Sequence, residues 1–411
     1  MSIQEFFAMK VLMVAGDNPH TIKIGGKHIH QLLLEKGLTS QGVDVDTVYP
    51  RFSNAPITRY LEYIKYGLLA GDPTQFFPPD KLQIVSIVSQ LRDVLASIDI
   101  ESYSVIHCHD VVSAYVFHKT FPQMPLPRIL TFHGYFAREA VDYSRIRSNK
   151  AKNIFLEFCS AIEGEGVHWS DQIICVDTRL REYVNDTFGY PSTRISVIQN
   201  AVDTDMFSPV SASENAQIRE DMGYNSSQFI IIVPRRLVPK NGVQFAIQAM
   251  KHISDDNVRL LVLGDGPQYP ELTVLAQGDA RVQFLGAVPH EFVEKYYKIS
   301  NVVLIPSITS HGVQEATSLS MLEGMACGKI VICSSIGGMR EVIQDGVTGY
   351  LVSEQSPEEI ASRINSILKG DIDTVSTGRR ARQYVVEHHS YIPHAMRVKD
   401  VYETACSVAG R

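Results

Sequence analysis

The sequence predicts a doubly wound α/β fold, built twice along one chain. Three observations point there. Short apolar runs rich in Val, Ile and Leu alternate with longer helical patterns from Lys10 to Val352. The runs are continuous rather than alternating, as parallel strands covered by helices on both faces require. At 411 residues the chain also exceeds what one hydrophobic core usually holds, so two domains are expected.

In order, the first series of strands falls at Lys10–Ala15, Val43–Tyr49, Val105–His107, Arg128–Phe132, Gln172–Val176 and Ile195–Ile198. The second falls at Phe229–Val233, Arg259–Leu263, Val282–Leu285, Val302–Ile305, Lys329–Cys333 and Gly349–Val352. The turn-rich stretches Asn200-Ala-Val-Asp203 and Met206-Phe-Ser-Pro209 mark the junction. Domains at 1–205 and 206–390 follow, with 391–411 read as an amphipathic helix beyond the second. No long linker separates the domains, so a cleft between them is expected. In such folds ligands bind beyond the C-terminal ends of the strands.

Composition narrows the function. Hydrophobic residues make up 45% and charged residues 20%, as in ordinary soluble enzymes. The net charge of −7 disfavours a nucleic-acid binder, which would carry a basic bias. The six cysteines (108, 159, 175, 327, 333 and 406) form no Cys-x-x-Cys and suit a reducing cytoplasm. Only Val11 to Ala15 follows Lys10 as an apolar run, which is a strand's length and no signal peptide. No window reaches the roughly 18 apolar residues of a membrane span. A soluble or membrane-peripheral protein is expected.

The window from Glu315 to Glu323, continuing Gly-Met-Ala-Cys-Gly328, is the most informative in the chain. Two carboxylates stand eight residues apart across the start of a helix whose first turn holds Thr317, Ser318 and Ser320. Free N–H groups at such a start bind phosphate, and carboxylates accept hydrogen bonds from sugar or ribose hydroxyls. Ser320-Met-Leu-Glu323 equally fits a capping box, in which Glu323 only reaches back to a backbone N–H. This window alone leaves both readings open.

The rest of the chain resembles the retaining glycosyltransferases of family 4, which have the GT-B fold of two facing Rossmann-like domains. Glu315 to Val352 carries the resemblance most strongly. It holds the two glutamates, Met-Ala-Cys-Gly, Gly-Gly-x-x-Glu from Gly337 to Glu341, and Asp345-Gly-Val-Thr-Gly-Tyr-Leu-Val352. Gly25-Gly26, Thr131-Phe-His133-Gly134, Val197-Ile-Gln-Asn200-Ala-Val-Asp203, Arg236-Leu-Val, Leu263-Gly-Asp-Gly-Pro267 and Val282-Gln-Phe-Leu-Gly286 match in order and spacing. The resemblance implies a hexosyltransferase whose donor is a nucleotide diphosphate sugar and whose acceptor is a hydroxyl. It also implies a C-terminal helix that returns to the first domain.

By the same resemblance, Glu323 binds the donor ribose and Glu315 the transferred sugar. The backbone of Thr317, Ser318 and Leu319 holds the diphosphate, with Gly264 also in the donor site. Arg236 and Lys240 stabilise the leaving phosphate, where cations help the transition state more than the ground state. Gly26 lies near the sugar and acceptor, and so does His133, whose titration falls near neutral pH. The chain departs from the family at two points. The family usually has glycine where Arg235 stands, and Glu-Lys-Gly where this chain has Lys240-Asn241-Gly242. A long side chain on Lys240 can absorb a one-residue shift; whether Lys240 or Asn241 takes the lysine's place stays open.

No metal and no other cofactor is expected. His107 and His109 share a strand face, too few for a metal site without a third group; His109 reads as cleft-lining and His107 as core. Asp44-Val-Asp46, Asp203-Thr-Asp205 and Asp371-Ile-Asp373 all lie away from the expected diphosphate. Gly264-Asp-Gly266 lacks the third glycine of a dinucleotide fingerprint, because Tyr269 stands there, and Gly25-Gly26-Lys27 is no phosphate-loop motif. On the acceptor side, Tyr60, Tyr63, Tyr66, Phe76 and Phe77 could stack on a sugar or simply pack. The run from Arg138 to Lys152 reads as a solvated face, or as a site for a phosphorylated acceptor or anionic membrane. Two competitors remain: a nucleotide-sugar epimerase or sugar phosphorylase on the same fold, and a sugar-binding protein without catalysis. The nucleotide base, the sugar, the acceptor and the oligomeric state are not legible.

Overall fold

The computed structural model describes residues 9–20, 26–51, 79–142, 144, 146–310, 312–408 and 410. Gly25, Arg145 and the aromatics Tyr60, Tyr63, Tyr66, Phe76 and Phe77 lie outside these residues. The chain divides into two compact units, one of residues 1–198 with 395–411, the other of residues 199–394.

The first unit holds a parallel sheet of β1 (Lys10–Val14), β2 (Asp44–Val48), β3 (Val105–Cys108), β4 (Arg128–Phe132), β5 (Gln172–Cys175) and β6 (Ile195–Val197). The order is β2-β1-β3-β4-β5-β6, so the winding reverses between β1 and β3. Val11 and Met13 point into one apolar layer with Leu34, Val105, Ile129 and Ile174. Ala395, Val398, Tyr402 and Ala405 of the helix Tyr391–Val408 complete that layer. The C-terminal helix thus covers the first sheet.

The second unit repeats the plan with β7 (Phe229–Pro234), β8 (Val258–Leu263), β9 (Val282–Gly286), β10 (Val302–Ile305), β11 (Ile330–Ser334) and β12 (Tyr350–Val352). Here the order is β12-β11-β10-β7-β8-β9, reversing between β10 and β7. Period-2 alternation splits one strand between two cores. Ile230 and Ile232 pack with Val303, Ile305 and Leu322, while Ile231 and Val233 pack with Leu260, Val262 and Ile364. Each such fully buried aliphatic side chain contributes about 1.5–3 kcal/mol, which is why β7 carries no polar residue on either face.

All twelve strands expected from the sequence form, with ends displaced by at most one residue. None of the helices among the described residues is long and apolar enough to cross a membrane. The six cysteines are free, and all but Cys406 are buried.

Candidate active site

An open α/β sheet leaves a crevice where two adjacent strands send their connections in opposite directions. In the second unit that point lies between β7 and β10, followed by Arg235–Gly242 and by Pro306–Glu315. The sequence sends its charges there. Arg235, directly after β7, is only 9% exposed. Its Nη2 donates to Glu315 Oε2 at 2.8 Å, Asn241 Oδ1 at 2.6 Å and Ser307 Oγ at 3.0 Å. Its Nη1 donates to Ser318 Oγ at 3.2 Å. Asn241, six residues on, and three residues of the stretch after β10 are thereby tied to one guanidinium.

The helix Leu319–Ala326 starts at this network, with Ser318 as its N-cap in extended backbone and no side-chain cap bond. The capping-box reading of Glu323 is overturned, because Ser320 lies inside the helix and donates its Oγ proton to Pro234 O at 3.0 Å. Glu323 instead accepts the Tyr297 hydroxyl on Oε2 at 2.5 Å, and its Oε1 lies 3.6 Å from His290 Nε2. Burial, then the neighbouring Glu323 carboxylate, pushes the Tyr297 hydroxyl pKa well up, so it stays a donor. Thr317 and Ser318 are buried, and Asn200 Nδ2 holds Thr317 O at 2.8 Å. Gly338 donates its N–H to Glu315 O at 3.0 Å, and a Cβ there would stand 2.7 Å from Thr317 N.

The remaining expected donor residues gather on the β7 side. Arg236 is exposed and Lys240 half-buried in the turn Pro239–Asn241. Asn241 turns its side chain inward, accepting from Arg235 and donating to Arg236 O at 2.7 Å. Gly242 follows at φ 63°, where an added Cβ would meet Pro306 O at 1.9 Å. Gly264, at φ 149°, likewise has Arg235 O 2.0 Å from where a Cβ would be. Only glycine lets these loops close on one another.

The first unit's winding reverses between β1 and β3, and its polar residues collect beyond those strands too. Lys27 Nζ lies 2.9 Å from Asp17 Oδ1 and 3.3 Å from Asp110 Oδ2, and His28 Nε2 lies 2.9 Å from Asp17 Oδ2. Burial alone would raise Asp17, but the hydrogen bond from His28 and the Lys27 charge hold it down at about 2. Asp110 also caps the helix Val111–Thr120, accepting Ser113 N at 2.8 Å. Gly26 opens the helix Gly26–Ser40.

His107 is a core residue, as expected: Nδ1 meets Tyr402 OH at 2.6 Å and Nε2 meets Thr131 Oγ1 at 2.7 Å. Burial pushes it down to about 3. His109 departs from the expectation of a cleft-lining residue, being fully buried. The third group that the spacing argument lacked is also present. His30, His109 and His133 bring ring nitrogens within 4.8 Å of one another. Both His109 nitrogens and His133 Nε2 make no hydrogen bond among the described residues. Burial, and then the neighbouring histidines, keeps His109 and His133 neutral. Neutral imidazoles are the ligating form, so this trio, which the spacing argument did not foresee, is a group that could hold a metal ion.

The other acidic pairs are structural. Asp44 and Asp46 pair with Lys10, Asp203 Oδ1 accepts Asp205 N and Met206 N, and Asp373 caps the helix Thr374–His388. Along the basic run, Arg138 stacks on Tyr135 and Tyr183, while Arg147 and Lys150 are exposed. Sequence reasoning set Arg235 aside as a departure and missed Tyr297 and His290 altogether. The one available signal for Arg235 was a charged residue at the end of an otherwise apolar strand.

Residues 24–206 match the model of Glycosyltransferase Family 4, and residues 214–384 match that of Glycosyl transferases group 1. An uncharacterised glycosyltransferase of Methanocaldococcus jannaschii is 27% identical over 409 residues, spanning 98% of this chain and 100% of that protein. A D-inositol 3-phosphate glycosyltransferase of Xylanimonas cellulosilytica is 26% identical over 388 residues, or 89% of this chain and 87% of that one. Among solved structures, sucrose-phosphate synthase of Thermosynechococcus elongatus aligns with a TM-score of 0.74 at 21% identity, over 97% of this chain and 100% of the other. Anabaena HepE in complex with UDP-glucose aligns at 0.69 and 18% identity, over 96% and 100%. Both share the pair of Rossmann-like domains known as the GT-B fold. The chain belongs to the glycosyltransferases, with a family 4 first part and a group 1 second part.

Proposed function

We propose that the protein moves a sugar, with retention, from a nucleotide diphosphate sugar to a hydroxyl acceptor. One observation carries this reading: Glu315 and Glu323 flank a helix N-terminus at the switch point of the second sheet. Glu323 takes the ribose hydroxyls, and Glu315 takes hydroxyls of the transferred sugar. The N–H groups at Thr317, Ser318 and Leu319 take the diphosphate, with Gly264 giving the loop its close approach. Arg236 and Lys240 add positive charge for the leaving group. That HepE is solved with UDP and UDP-glucose supports a donor of this class.

The anomeric carbon–oxygen bond breaks with its electron pair going to the β-phosphate. The acceptor oxygen bonds to the same face, and its proton passes to the departing phosphate oxygen. Transfer of this kind needs no divalent ion at the diphosphate, since protein cations and backbone dipoles supply the charge. The neutral imidazole of His133, with Gly26 at the helix start, offers a donor and an acceptor to a sugar or acceptor hydroxyl. Six free cysteines suit a reducing compartment.

A thermal-shift panel of UDP, GDP and ADP with their sugars tests the reading, because a ligand that binds the folded state raises Tm. One nucleotide should stabilise the protein, and its sugar should be slowly hydrolysed when water replaces the acceptor. No shift with any member sinks the proposal. Free isomerised sugar would indicate an epimerase, and phosphate-dependent turnover a phosphorylase.

A further inference from the structure

We propose that Arg235 is the fixed cation of the donor pocket and touches the leaving β-phosphate. The inference rests on the donor reading above and deepens it. Arg235 stands at the switch point, nine-tenths buried, while the neighbouring Arg236 is exposed and Lys240 half-buried. Its Nη1 is bonded to Ser318, the N-cap of the helix whose free N–H groups would receive the diphosphate. Its Nη2 is fixed by Asn241, Ser307 and Glu315. Its Nε–H is buried and has no partner among the described residues. A buried guanidinium with an unspent donor is costly unless an acceptor arrives.

Phosphate oxygens are the acceptors that fit. Guanidinium meets phosphate with parallel N–H bonds, and Glu315 beside it keeps the fork oriented before the donor binds. As the anomeric bond breaks, charge grows on the β-phosphate, and Arg235 answers it without side-chain reorganisation. No proton leaves Arg235, since the acceptor's proton goes to the phosphate itself.

The sequence supplies a second argument. Arg235 stands where the resembling family has glycine, and Asn241 stands directly before Gly242, where that family has lysine. The two departures touch each other at 2.6 Å. One brings a cation in, and the other replaces a cation with an amide that holds it. The cation lost at 241 is thus answered by the one gained at 235, while Lys240, where the resemblance has glutamate, adds further positive charge.

The test compares R235Q with the double exchange R235G/N241K in the full chain, using the nucleotide sugar that stabilises wild type. The readouts are kcat and KM for nucleoside diphosphate release, with circular dichroism to check folding. Folded R235Q should lose about 10²–10³-fold in kcat with less than a tenfold rise in KM. The double exchange should recover to within about tenfold of wild type, and added guanidinium should partly rescue R235Q. A merely structural arginine would show neither recovery. Folded R235Q with kcat within threefold of wild type overturns the inference. Should R235Q fail to fold, the double exchange decides: recovery upholds the proposal and loss as deep as an inactive enzyme overturns it. If wild type itself binds no nucleotide sugar, the donor reading fails, and the inference that rests on it is overturned with it.

Discussion

Replacing Glu323 by Gln isolates the proposed ribose contact, because the substitution leaves the surrounding fold almost intact. Glu323 is 7% exposed, and its Oε2 accepts the buried Tyr297 hydroxyl. The glutamine carbonyl can still take that proton, so no buried donor is orphaned and stability should change little. Its NH₂ then replaces Oε1, the atom 3.6 Å from His290. A ribose diol loses roughly one hydrogen bond to a charged acceptor, worth about 1.5–3 kcal/mol. At 1.4 kcal/mol per decade, the nucleoside diphosphate should bind about 10- to 150-fold more weakly. Calorimetry with the ribonucleotide and its 2′-deoxy analogue makes a cycle. Wild type should discriminate between them, and Glu323→Gln should erase most of that difference. Equal discrimination by both proteins would refute the ribose role, whatever happens to absolute affinity.

Nucleoside diphosphate affinity should be the same in EDTA and in excess Mg²⁺ or Mn²⁺; calorimetry showing a tenfold loss in EDTA would refute transfer without a metal at the diphosphate. Gly338→Ala puts a methyl 2.7 Å from Thr317 N and 2.8 Å from Ala316 C, so the loop or the cradle must move. Donor affinity should fall about tenfold or more, read by calorimetry on folded protein. Glu163 is fully buried, and burial pushes it up to about 7 from its ordinary 4.5, against smaller opposing effects from Tyr183 and Arg138. The folded state therefore binds the extra proton, and stability drops by about 3 kcal/mol as pH rises from 4.5 to 7. Urea midpoints should show that decline in wild type, and Glu163→Gln should flatten it.

The strands were legible because parallel strands buried on both faces must be continuous apolar runs, and few other elements are. Their ends drifted by a residue because sequence marks apolarity and not the last ladder bond. Glu323 shows where reading stops. Ser320-x-x-Glu323 fits a capping box only if Ser320 is the N-cap, whereas the helix starts at Leu319 with Ser318 in that place. Arg235 was noticed and set aside because its partners lie 6, 72, 80 and 83 residues away. Likewise His30 and His133 join His109 only through the winding of the sheet. Local patterns carry elements, whereas buried polar networks are properties of topology.

The two switch points share a topology but not a chemistry, and the difference explains which half of the function could be read. In the second unit a permanent guanidinium, two carboxylates and a helix N-terminus are locked by hydrogen bonds before any ligand arrives. Such a site suits a ligand whose charge and shape never vary, because preorganised dipoles need no reorganisation at reaction. The nucleoside diphosphate of the proposed donor is that kind of ligand. In the first unit Lys27 is already balanced by Asp17 and Asp110, and the neutral imidazole of His133 can donate or accept. A group that can reverse its hydrogen-bond sense imposes little on a hydroxyl. Were the proposed acceptor to bind there, its identity would have to come from shape, which many sequences can build.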